Sequence, residues 1–395
     1  MRKARSSGGS FVGLDMGTST IKIVEVTGAR TGLRVTGLAL EDTPSGLISQ
    51  GVVTDPKQLG LAIKAALAKN AIRSRKCVVS VGGAAAMVVR VVDVPKMSAG
   101  ELAETMKWQI EQYVPFPASD VELSYEKIDD PVTDADPNAQ MEVLLAVAQR
   151  DMVSRHIETL VAAGLTPVAV DVEPLAAGRA LINLSKEGYD QRNVVVVNIG
   201  ATITDVGIFK SGVLRFPRTI PLGGDNFTRA IADRCGLGMD AAEDEKREVA
   251  AVLMDLIDVV AEEQFGATEV SDNGITSPWD VDTSVPLPPS LFGEAPAPAA
   301  EIAPELDANP FADPFAAPVE AAPAPAPEPI AVPEEVESPY SPREREVFQA
   351  ILPVLGEFSM ELRRSVDYFR SKFPMDTVDH VLLCGGGASL RGLEQ

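Results

Sequence analysis

The sequence predicts a two-lobed α/β protein, and three features of the chain lead to this prediction. Strand-like apolar runs alternate with amphipathic helical segments over most of the 395 residues. Two similar glycine-containing hairpins, within 12–26 and 196–209, lie far apart in the chain. A long proline-rich acidic stretch follows the second hairpin. The matched hairpins indicate two lobes, and the acidic stretch indicates an insert in the second lobe.

Length, charge and cysteine content limit the classes of function. A chain of this length can bury the cores of two domains. The net charge of −22 argues against binding to nucleic acid or to anionic lipid. The three cysteines, Cys77, Cys235 and Cys384, lack metal-site spacing and fit a reducing cytoplasm. Because no run of about 18 apolar residues occurs, we expect a cytoplasmic protein that reaches a membrane only through partners.

The acidic stretch has the composition of a disordered segment. Residues 267–342 hold 17 of the 30 prolines, and residues 251–342 contain 18 acidic side chains but no Lys or Arg. Such a segment cannot bury enough apolar surface to offset the entropy lost on ordering. Phe311 and Phe315 in "NPFADPF" leave two interpretations open, a tolerated surface insertion and a short docking motif for another protein.

The two hairpins share the same order of residue types. "VGLDMGTSTIKIVEV" (12–26) and "VVNIGATITDVGIF" (196–209) each run from an apolar strand through an acidic or amide residue to glycine and small residues, then into a second strand. One such hairpin is weak evidence, because Asp and Gly are ordinary turn residues. A matched pair at the starts of two α/β halves predicts a cleft in which both bends hold the phosphates of a nucleotide.

The bends offer the chemistry that phosphates and Mg²⁺ require. Glycine lets backbone N–H groups approach phosphate oxygens, hydroxyl groups add donors, and a lysine adds positive charge. A carboxylate is a hard oxygen ligand that can hold Mg²⁺ through water. The candidate phosphate residues are Gly17, Thr18, Ser19, Thr20, Lys22, Gly200, Ala201 and Thr202, and the candidate metal ligand is Asp15.

Three further motifs are candidates for contact with the nucleoside. "HVLLCGGGASLRG" (380–392) offers Gly385, Gly386 and Gly387 as a bare surface for a base or ribose, and "PLGGDNFTRAI" (221–231) offers Gly223, Gly224 and Asp225. In "AAEDEKRE" (241–248), Glu243 and Lys246 share one helical face and can reach the ribose and base. The alternative for this pair is a solvated surface ion pair.

The order of these motifs resembles the actin-like ATPase superfamily, which includes actin, MreB, FtsA and the DnaK-type chaperones. "VEPLAAGRAL" (172–181) resembles its first connecting helix, where a Glu or Gln before Pro orients the attacking water. The resemblance implies an actin-like two-lobed fold, ATP and Mg²⁺ as cofactors, and Glu173 as the catalytic residue. From the residues alone, Glu173 is an acid favoured at a helix start by the macrodipole.

Within this superfamily the chain resembles the PilM family of type IV pilus assembly proteins. The resemblance rests on the first hairpin and on "WQIEQYVPFPASDVELSYE" (108–126), "VDVEPLAAGRAL" (170–181), "PLGGDNFTRAIA" (221–232) and "ELRRSVDYFRSKFP" (361–374). It implies a scaffold for pilus assembly and twitching motility that binds ATP and the cytoplasmic N-terminal tail of the inner-membrane protein PilN. It also implies contact with the motor ATPase and a homo-oligomeric ring. A filament-forming division protein like FtsA and a metabolic kinase remain alternatives.

The same resemblance implies the domain order. We expect a flexible N-terminus over 1–10, a first-lobe core over 11–75, a small inserted subdomain on the peptide-binding side over 76–170, the second lobe with its connecting helix over 171–266, the disordered insert over 267–342 and the rest of the second lobe over 343–395. Relatives continue through another helix and strand, so we expect this lobe to be truncated. Asn198 stands where the superfamily usually has an Asp that binds Mg²⁺ through water, which predicts at most a weak ATPase.

Overall fold

The chain is described by a computed structural model over residues 9–29, 32–49, 51–83, 86–113, 115–128, 140–257 and 339–394. For residue 29 and residues 108–113, only the backbone is described. Most of the predicted 1–10 and 267–342 segments therefore lies outside the described residues. Residues 1–269 and 342–395 belong to one compact unit.

The elements of this unit alternate between strands and helices, as the sequence pattern predicts. In chain order they are β1 (Ser10–Met16), β2 (Thr20–Ala29), β3 (Gly32–Asp42), β4 (Ile48–Ser49), β5 (Val52–Val53), α1 (Pro56–Lys69), β6 (Lys76–Val81), β7 (Met87–Pro95), α2 (Ala99–Tyr113), β8 (Val121–Ile128), β9 (Gln140–Gln149), α3 (Arg150–Ala162), β10 (Thr166–Val172), α4 (Glu173–Gly178), β11 (Asn193–Ile199), β12 (Thr204–Lys210), β13 (Val213–Ile220), α5 (Gly224–Cys235), α6 (Met239–Glu248), α7 (Pro342–Lys372) and β14 (His380–Cys384). None of the helices in the described ranges is long and apolar enough to cross a membrane.

The first lobe is built on a five-stranded sheet in the order β10-β6-β1-β2-β3. The β1–β2–β3 meander is antiparallel, whereas β6 and β10 pair in parallel. Helix α1 is capped by Asp55, whose carboxylate accepts the backbone N–H groups of Lys57 and Gln58, both at 3.0 Å. Helices α1 and α3 cover one face of the sheet, and Gly60 allows their close approach because an added Cβ would lie 2.5 Å from that of Ala162.

The second lobe repeats this arrangement. Its sheet has the order β13-β12-β11-β14, again an antiparallel meander with a parallel strand beside its first member. Helix α4 follows the last strand of the first sheet and packs on β11 and β12 of the second, so it connects the lobes. It approaches the sheet closely because a Cβ on Gly178 would collide with the ring of Phe209. The two lobes therefore repeat one α/β arrangement, as the sequence predicts.

The inserted subdomain is smaller than the predicted 76–170. Strands β6 and β10 belong to the first sheet, where Cys77 and Val79 are fully buried beside β1. Helix α3 packs on α1 in the same lobe. Among the described residues between 87 and 149, strands β7, β8 and β9 form a separate sheet in the order β7-β9-β8, and helix α2 packs on one of its faces. Strands β6 and β10, which flank this sheet in the chain, belong to the first lobe because they pair in parallel with strands distant in sequence. The spacing of residues along the chain did not reveal this pairing.

This three-stranded sheet also contacts the second lobe. The apolar side chains on its other face include Ile128 and Leu144, which share a buried cluster with Val194 and Phe209 of the second lobe. Near the start of the central strand β9, the Glu142 carboxylate pairs with Arg215 on β13 and with Lys372 on α7, the latter at 2.8 Å. Only 9% of the Arg215 side chain and 17% of that of Glu142 are exposed. The subdomain is therefore fixed to the second lobe by apolar burial and by a largely buried ion pair.

Substitution of Glu142 tests how much this contact contributes to stability. Glu142→Gln removes the charge that balances Arg215 and Lys372, and should lower the free energy of unfolding by about 2 kcal/mol. Glu104→Gln, in the exposed Lys107–Glu104 pair of the same subdomain, is the matched control and should cost less than about 0.5 kcal/mol. Urea denaturation measures both values. Equal losses in the two variants would contradict the assigned role of Glu142.

Candidate functional site

A cavity of about 780 Å³ lies between the two lobes. It is lined by both hairpin bends, the start of α5, one face of α6 and the loop after β14. The predicted residues that line it are Asp15, Gly17, Thr18, Ser19, Thr20, Lys22, Glu173, Asn198, Gly200, Ala201, Thr202, Gly224, Asp225, Glu243, Lys246, Gly385, Gly386 and Gly387. Gly223 does not line it, because it packs against the second bend, where an added Cβ would lie 2.6 Å from the Ala201 carbonyl oxygen.

The two bends have the same backbone geometry. In the first, the Gly17 N–H donates to the Thr20 carbonyl at 3.1 Å, and in the second, the Gly200 N–H donates to the Ile203 carbonyl at 2.9 Å. A Cβ at either glycine would lie 2.9 Å from that same carbonyl oxygen. Both positions therefore require glycine because the backbone folds back on itself. The hydroxyl of Thr43, which sequence reasoning missed, fixes the first bend by donating to the Gly17 carbonyl at 2.7 Å.

Charge at the first bend comes from Asp15 and Lys22. These residues are cross-strand partners in the β1–β2 ladder, and their side chains form an ion pair at 2.9 Å. About two fifths of each side chain is exposed, at 41% for Asp15 and 42% for Lys22. An ion pair this accessible contributes little to stability, so a bound ligand can break it at little cost. The bend thus presents a carboxylate and an ammonium group side by side.

The second bend is held by the N-terminus of α5. The N–H groups of Gly224 and Asp225 donate to the carbonyls of Gly200 and Ala201 at 2.9 and 2.7 Å. On the other side, Gly385 has φ of +85°, and a Cβ there would lie 2.7 Å from the Asn198 amide oxygen. The loops at 200 and 385 therefore share one packed wall of the cavity.

At the floor of the cavity, the carboxyl group of Glu173, at the start of the connecting helix α4, meets a carboxyl group of the second lobe. The Glu173 carboxyl lies over Gly82, where an added Cβ would collide with it, and it is hydrogen-bonded to Asp205 on β12. Asp205 is 3% exposed and also accepts from the Thr219 hydroxyl at 2.6 Å. Burial raises the pKa of both carboxyls, and the proximity of Asp205 raises that of Glu173 further. Both carboxyls are therefore harder to ionise than an exposed carboxyl group.

Sequence reasoning missed Asp205, although a signal was present. The residue lies in strand β12, in which every position from Thr204 to Phe209 is buried. A carboxylate inside a buried strand needs a partner or a proton. It is the cross-strand partner of Asn198, so the two side chains share one face of the sheet. The Asp205 carboxyl group thus lies beside Asn198, the position at which the superfamily usually has an Asp.

At the other end of the cavity, Glu243 and Lys246 form a partly buried ion pair at 2.6 Å, not the solvated surface pair of the alternative interpretation. Burial favours a higher pKa for Glu243, but hydrogen bonds from Lys246 and Thr228 outweigh it and lower the pKa below its usual value. The exposed guanidinium of Arg247 donates to the same carboxylate at 2.9 Å. Glu243 is therefore an ionised acceptor at the cavity wall.

The residues present fit a bound Mg²⁺ only if the nucleotide supplies ligands. Among the described residues, no group of three or more His, Cys, Asp or Glu side chains is placed to hold a metal. Mg²⁺ is commonly held by one or two carboxylates together with water and substrate phosphates. Asp15 at the first bend is the carboxylate in position for that arrangement.

Comparison with known proteins assigns the fold and the family. The family model for type IV pilus assembly protein PilM matches residues 13–251, and that for cell division protein FtsA matches residues 195–395. The solved structure of a PilM-PilN type IV pilus biogenesis complex is 27% identical, with a TM-score of 0.64, and the match covers 97% of this chain and 83% of that one. The actin-like ATPase fold predicted from the sequence is thereby confirmed.

Curated relatives are more distant. Cell division protein FtsA of Bacillus subtilis is 24% identical over 67% of this chain and 62% of its own length. FtsA of Streptococcus pneumoniae is 24% identical over 57% of this chain and 52% of its own length. The chain thus spans less than two thirds of these relatives. The PilM family model, in contrast, matches more than half of the chain and includes both hairpins and the connecting helix. The chain belongs to the family of type IV pilus assembly protein PilM.

Proposed function

We propose that this chain is a nucleotide-binding scaffold of type IV pilus assembly. It holds ATP with Mg²⁺ between its lobes, binds the cytoplasmic tail of a PilN-type membrane protein, and links the membrane complex to the motor ATPase. The observation that carries the nucleotide assignment is the pair of glycine bends with the same backbone geometry on opposite sides of one cavity. The cavity volume of about 780 Å³ lies within the usual range for small-molecule sites.

Each part of the proposed ligand has matching groups. The bends at Gly17 and Gly200 face the phosphates, and Lys22 balances their charge once it is released from Asp15. Asp15 is then free to hold Mg²⁺ through water, and the bound Mg²⁺ supplies charge neutralisation for the phosphates. Gly385, Gly386 and the α6 face adjoin the nucleoside.

We expect ATP hydrolysis to be slow because of the residues at the floor of the cavity. A carboxyl group must be ionised to accept a proton from an attacking water. Burial and the nearby Asp205 raise the pKa of Glu173 well above its usual value, which disfavours the ionised form. Asn198, in place of the usual carboxylate, removes a further charge from the metal side. We therefore propose that the nucleotide stabilises one arrangement of the lobes through differential affinity and is hydrolysed weakly at most.

The proposed partner site lies beside the three-stranded sheet. The similar solved structure is a complex of PilM with PilN, and we extend that partnership to this chain. The supports of the groove would be β7 and the end of α2 at "YVPFP", of which residue 114 lies outside the described residues. Such a partner would place the protein at the cytoplasmic side of the inner membrane. A homo-oligomeric ring is part of the same proposal.

A filament-forming role like that of FtsA is the second candidate. It is favoured by the match of the FtsA family model to residues 195–395. The two candidates share the nucleotide site and differ in the partner. ATP-dependent pelleting of the purified protein without PilN would favour the filament, and saturable binding of the PilN tail by unpelleted protein would favour the scaffold.

Removal of the first-bend charges tests the nucleotide site. The double substitution Asp15→Ala with Lys22→Ala should abolish stabilisation by ATP and Mg²⁺, which for wild type at a hundred times the Kd is about 2.7 kcal/mol. Differential scanning fluorimetry with and without ligand measures the effect. The pair Glu104→Ala with Lys107→Ala, equally charged and remote, should keep the full shift. A full shift in the Asp15/Lys22 variant would place the nucleotide elsewhere.

The raised pKa of Glu173 predicts how the free energy of unfolding changes with pH. Because the folded state retains a proton that the unfolded state loses above its ordinary pKa of 4.5, wild-type stability should fall as the pH rises through this window. Glu173→Gln cannot ionise and keeps a donor for Asp205, so its stability relative to wild type should increase between pH 5 and 8. The gain is about 1.4 kcal/mol for each unit by which the pKa is raised.

Denaturation midpoints at several pH values measure this difference. The exposed Glu126→Gln on β8 is the control, and its stability relative to wild type should stay constant over the same range. A constant difference for Glu173→Gln as well would mean that Glu173 is ionised in the folded protein.

Deletion of the acidic insert tests the location of the partner site. The proposed groove belongs to the first lobe and its subdomain, so removal of residues 270–340 should leave the affinity for a PilN-type tail within about twofold of wild type. Fluorescence titration of a labelled tail peptide measures both affinities, and circular dichroism checks the fold. Loss of binding by a folded deletion variant would make the insert the docking site.

A further inference from the structure

The glycine carbonyl of each bend is held by the segment that follows the third strand of the same sheet. In the first lobe this segment contains Thr43, whose hydroxyl donates to the Gly17 carbonyl at 2.7 Å and whose backbone N–H donates to the Ser19 carbonyl at 2.9 Å. In the second lobe the backbone N–H of Gly224 donates to the Gly200 carbonyl at 2.9 Å. Both lobes therefore fix the glycine carbonyl from outside the hairpin.

The peptide unit between Gly17 and Thr18 is the one that this hydrogen bond controls. Glycine has no Cβ, so its backbone torsions are less restricted than those of other residues. In a planar trans peptide the carbonyl and the N–H point in opposite directions. A rotation of this unit would therefore replace an N–H donor by a carbonyl oxygen at the surface of the bend. The Thr43 hydroxyl opposes this rotation because it holds the carbonyl.

The N–H group of Thr18 is available to a ligand. Gly17 and Thr18 both line the cavity, whereas Thr43 lies outside its lining. Because the Gly17 carbonyl points to Thr43, the Thr18 N–H points the opposite way. Within the described part of the chain, this N–H donates to no backbone or side-chain acceptor. The bend thus offers a backbone donor whose direction is set by Thr43.

Thr43 is well suited to hold the bend. It precedes Pro44, and a residue before proline is restricted to extended backbone conformations. Its branched Cβ limits the rotamers of the hydroxyl-bearing side chain. In the second lobe the corresponding donor is a backbone N–H, which a substitution does not remove. The first bend therefore depends on a side chain where the second depends on the main chain.

The first bend lies on the opposite side of the cavity from the residues proposed to adjoin the nucleoside. Those residues, on α6 and in the loop at Gly385 and Gly386, belong to the second lobe, and Gly385 packs beside Asn198 at the second bend. The first lobe contributes the first bend. A nucleotide whose nucleoside lies against the second lobe therefore reaches the first bend with its outer phosphates.

We infer that Thr43 is a positioning residue for the outer phosphates of the ligand, those beyond the α-phosphate. It holds the Gly17–Thr18 peptide in the orientation in which the Thr18 N–H donates to a phosphate oxygen, and it does not touch the ligand itself. The inference rests on the proposed binding of ATP and refines it, because it assigns a specific backbone donor to the phosphates and a side chain outside the cavity that controls it.

The test compares nucleotide affinities of matched threonine variants. Wild type, Thr43→Val, Thr43→Ser and Thr54→Val are titrated by calorimetry with ATP and with AMP, each with Mg²⁺. Thr54 is the control, because its hydroxyl donates to the Gly46 carbonyl at 2.6 Å in the same lobe and both residues lie outside the cavity lining. Circular dichroism checks that each variant is folded.

The expected loss is confined to one variant and one nucleotide. Thr43→Val should bind ATP about tenfold more weakly than wild type, equivalent to about 1.4 kcal/mol. Its affinity for AMP should stay within about twofold of wild type, because AMP has no outer phosphate. Thr43→Ser retains the hydroxyl and should restore the affinity for ATP. Thr54→Val should bind both nucleotides as wild type does.

Wild type provides a second measurement that depends on no variant. In protein with threonine-selective isotope labels, the amide resonance of Thr18 should shift when ATP and Mg²⁺ are added, and should stay in place with AMP. A Thr18 amide that does not respond to saturating ATP would overturn the inference, also in the case that Thr43→Val fails to fold.

The other outcomes separate this inference from the proposed function. Unchanged affinity for ATP in folded Thr43→Val would overturn the positioning role and leave the nucleotide site in place. Equal weakening of ATP and AMP would show that Thr43 supports the site as a whole, and would overturn it as well. Wild type that binds neither nucleotide would instead refute the proposed nucleotide site and, with it, this inference.

Discussion

The site depends on one backbone constraint, the tight bend at Gly17 and again at Gly200. In each bend an N–H group returns to a carbonyl three residues ahead, and no side chain fits between them. The bend places the end of one strand and the start of the next beside the cavity without inserting a bulky group. Because both lobes contain the same bend, the cavity between them is surrounded by backbone and short side chains on two sides.

The lobes are joined by more than the connecting helix α4. The three-stranded sheet packs on the first lobe near Val81 and Met152, and on the second lobe near Val194 and Phe209. Because the three-stranded sheet contacts both lobes, a partner that binds the sheet is coupled to the motion of one lobe relative to the other. In the proposed scaffold, this layer contains the supports of the partner groove. Its contacts with both lobes connect the proposed groove to the two lobes that line the cavity.

The chemistry of the cavity favours binding over turnover. Its charged groups at both ends are paired within the protein, Asp15 with Lys22 and Glu243 with Lys246. At its floor, burial raises the pKa of both Glu173 and Asp205. The accessible Asp15–Lys22 pair can exchange its internal partners for those of a ligand at small net cost. The raised pKa of Glu173 disfavours the ionised carboxylate that would accept the proton of an attacking water.

The sequence by itself determined the fold class and the two bends, and nearly all the site residues that it predicted line the cavity, because glycine turns and strand patterns are local properties of the chain. The tertiary structure decided what depends on contacts between distant segments. Strands β6 and β10 joined the first sheet through parallel pairing, which reduced the subdomain to residues 87–149. Asp205 on β12 met Glu173 at the start of α4, and Thr228 on α5 met Lys246 on α6. Such partners are set by packing, since the spacing of residues along the chain does not encode which buried polar group will satisfy another.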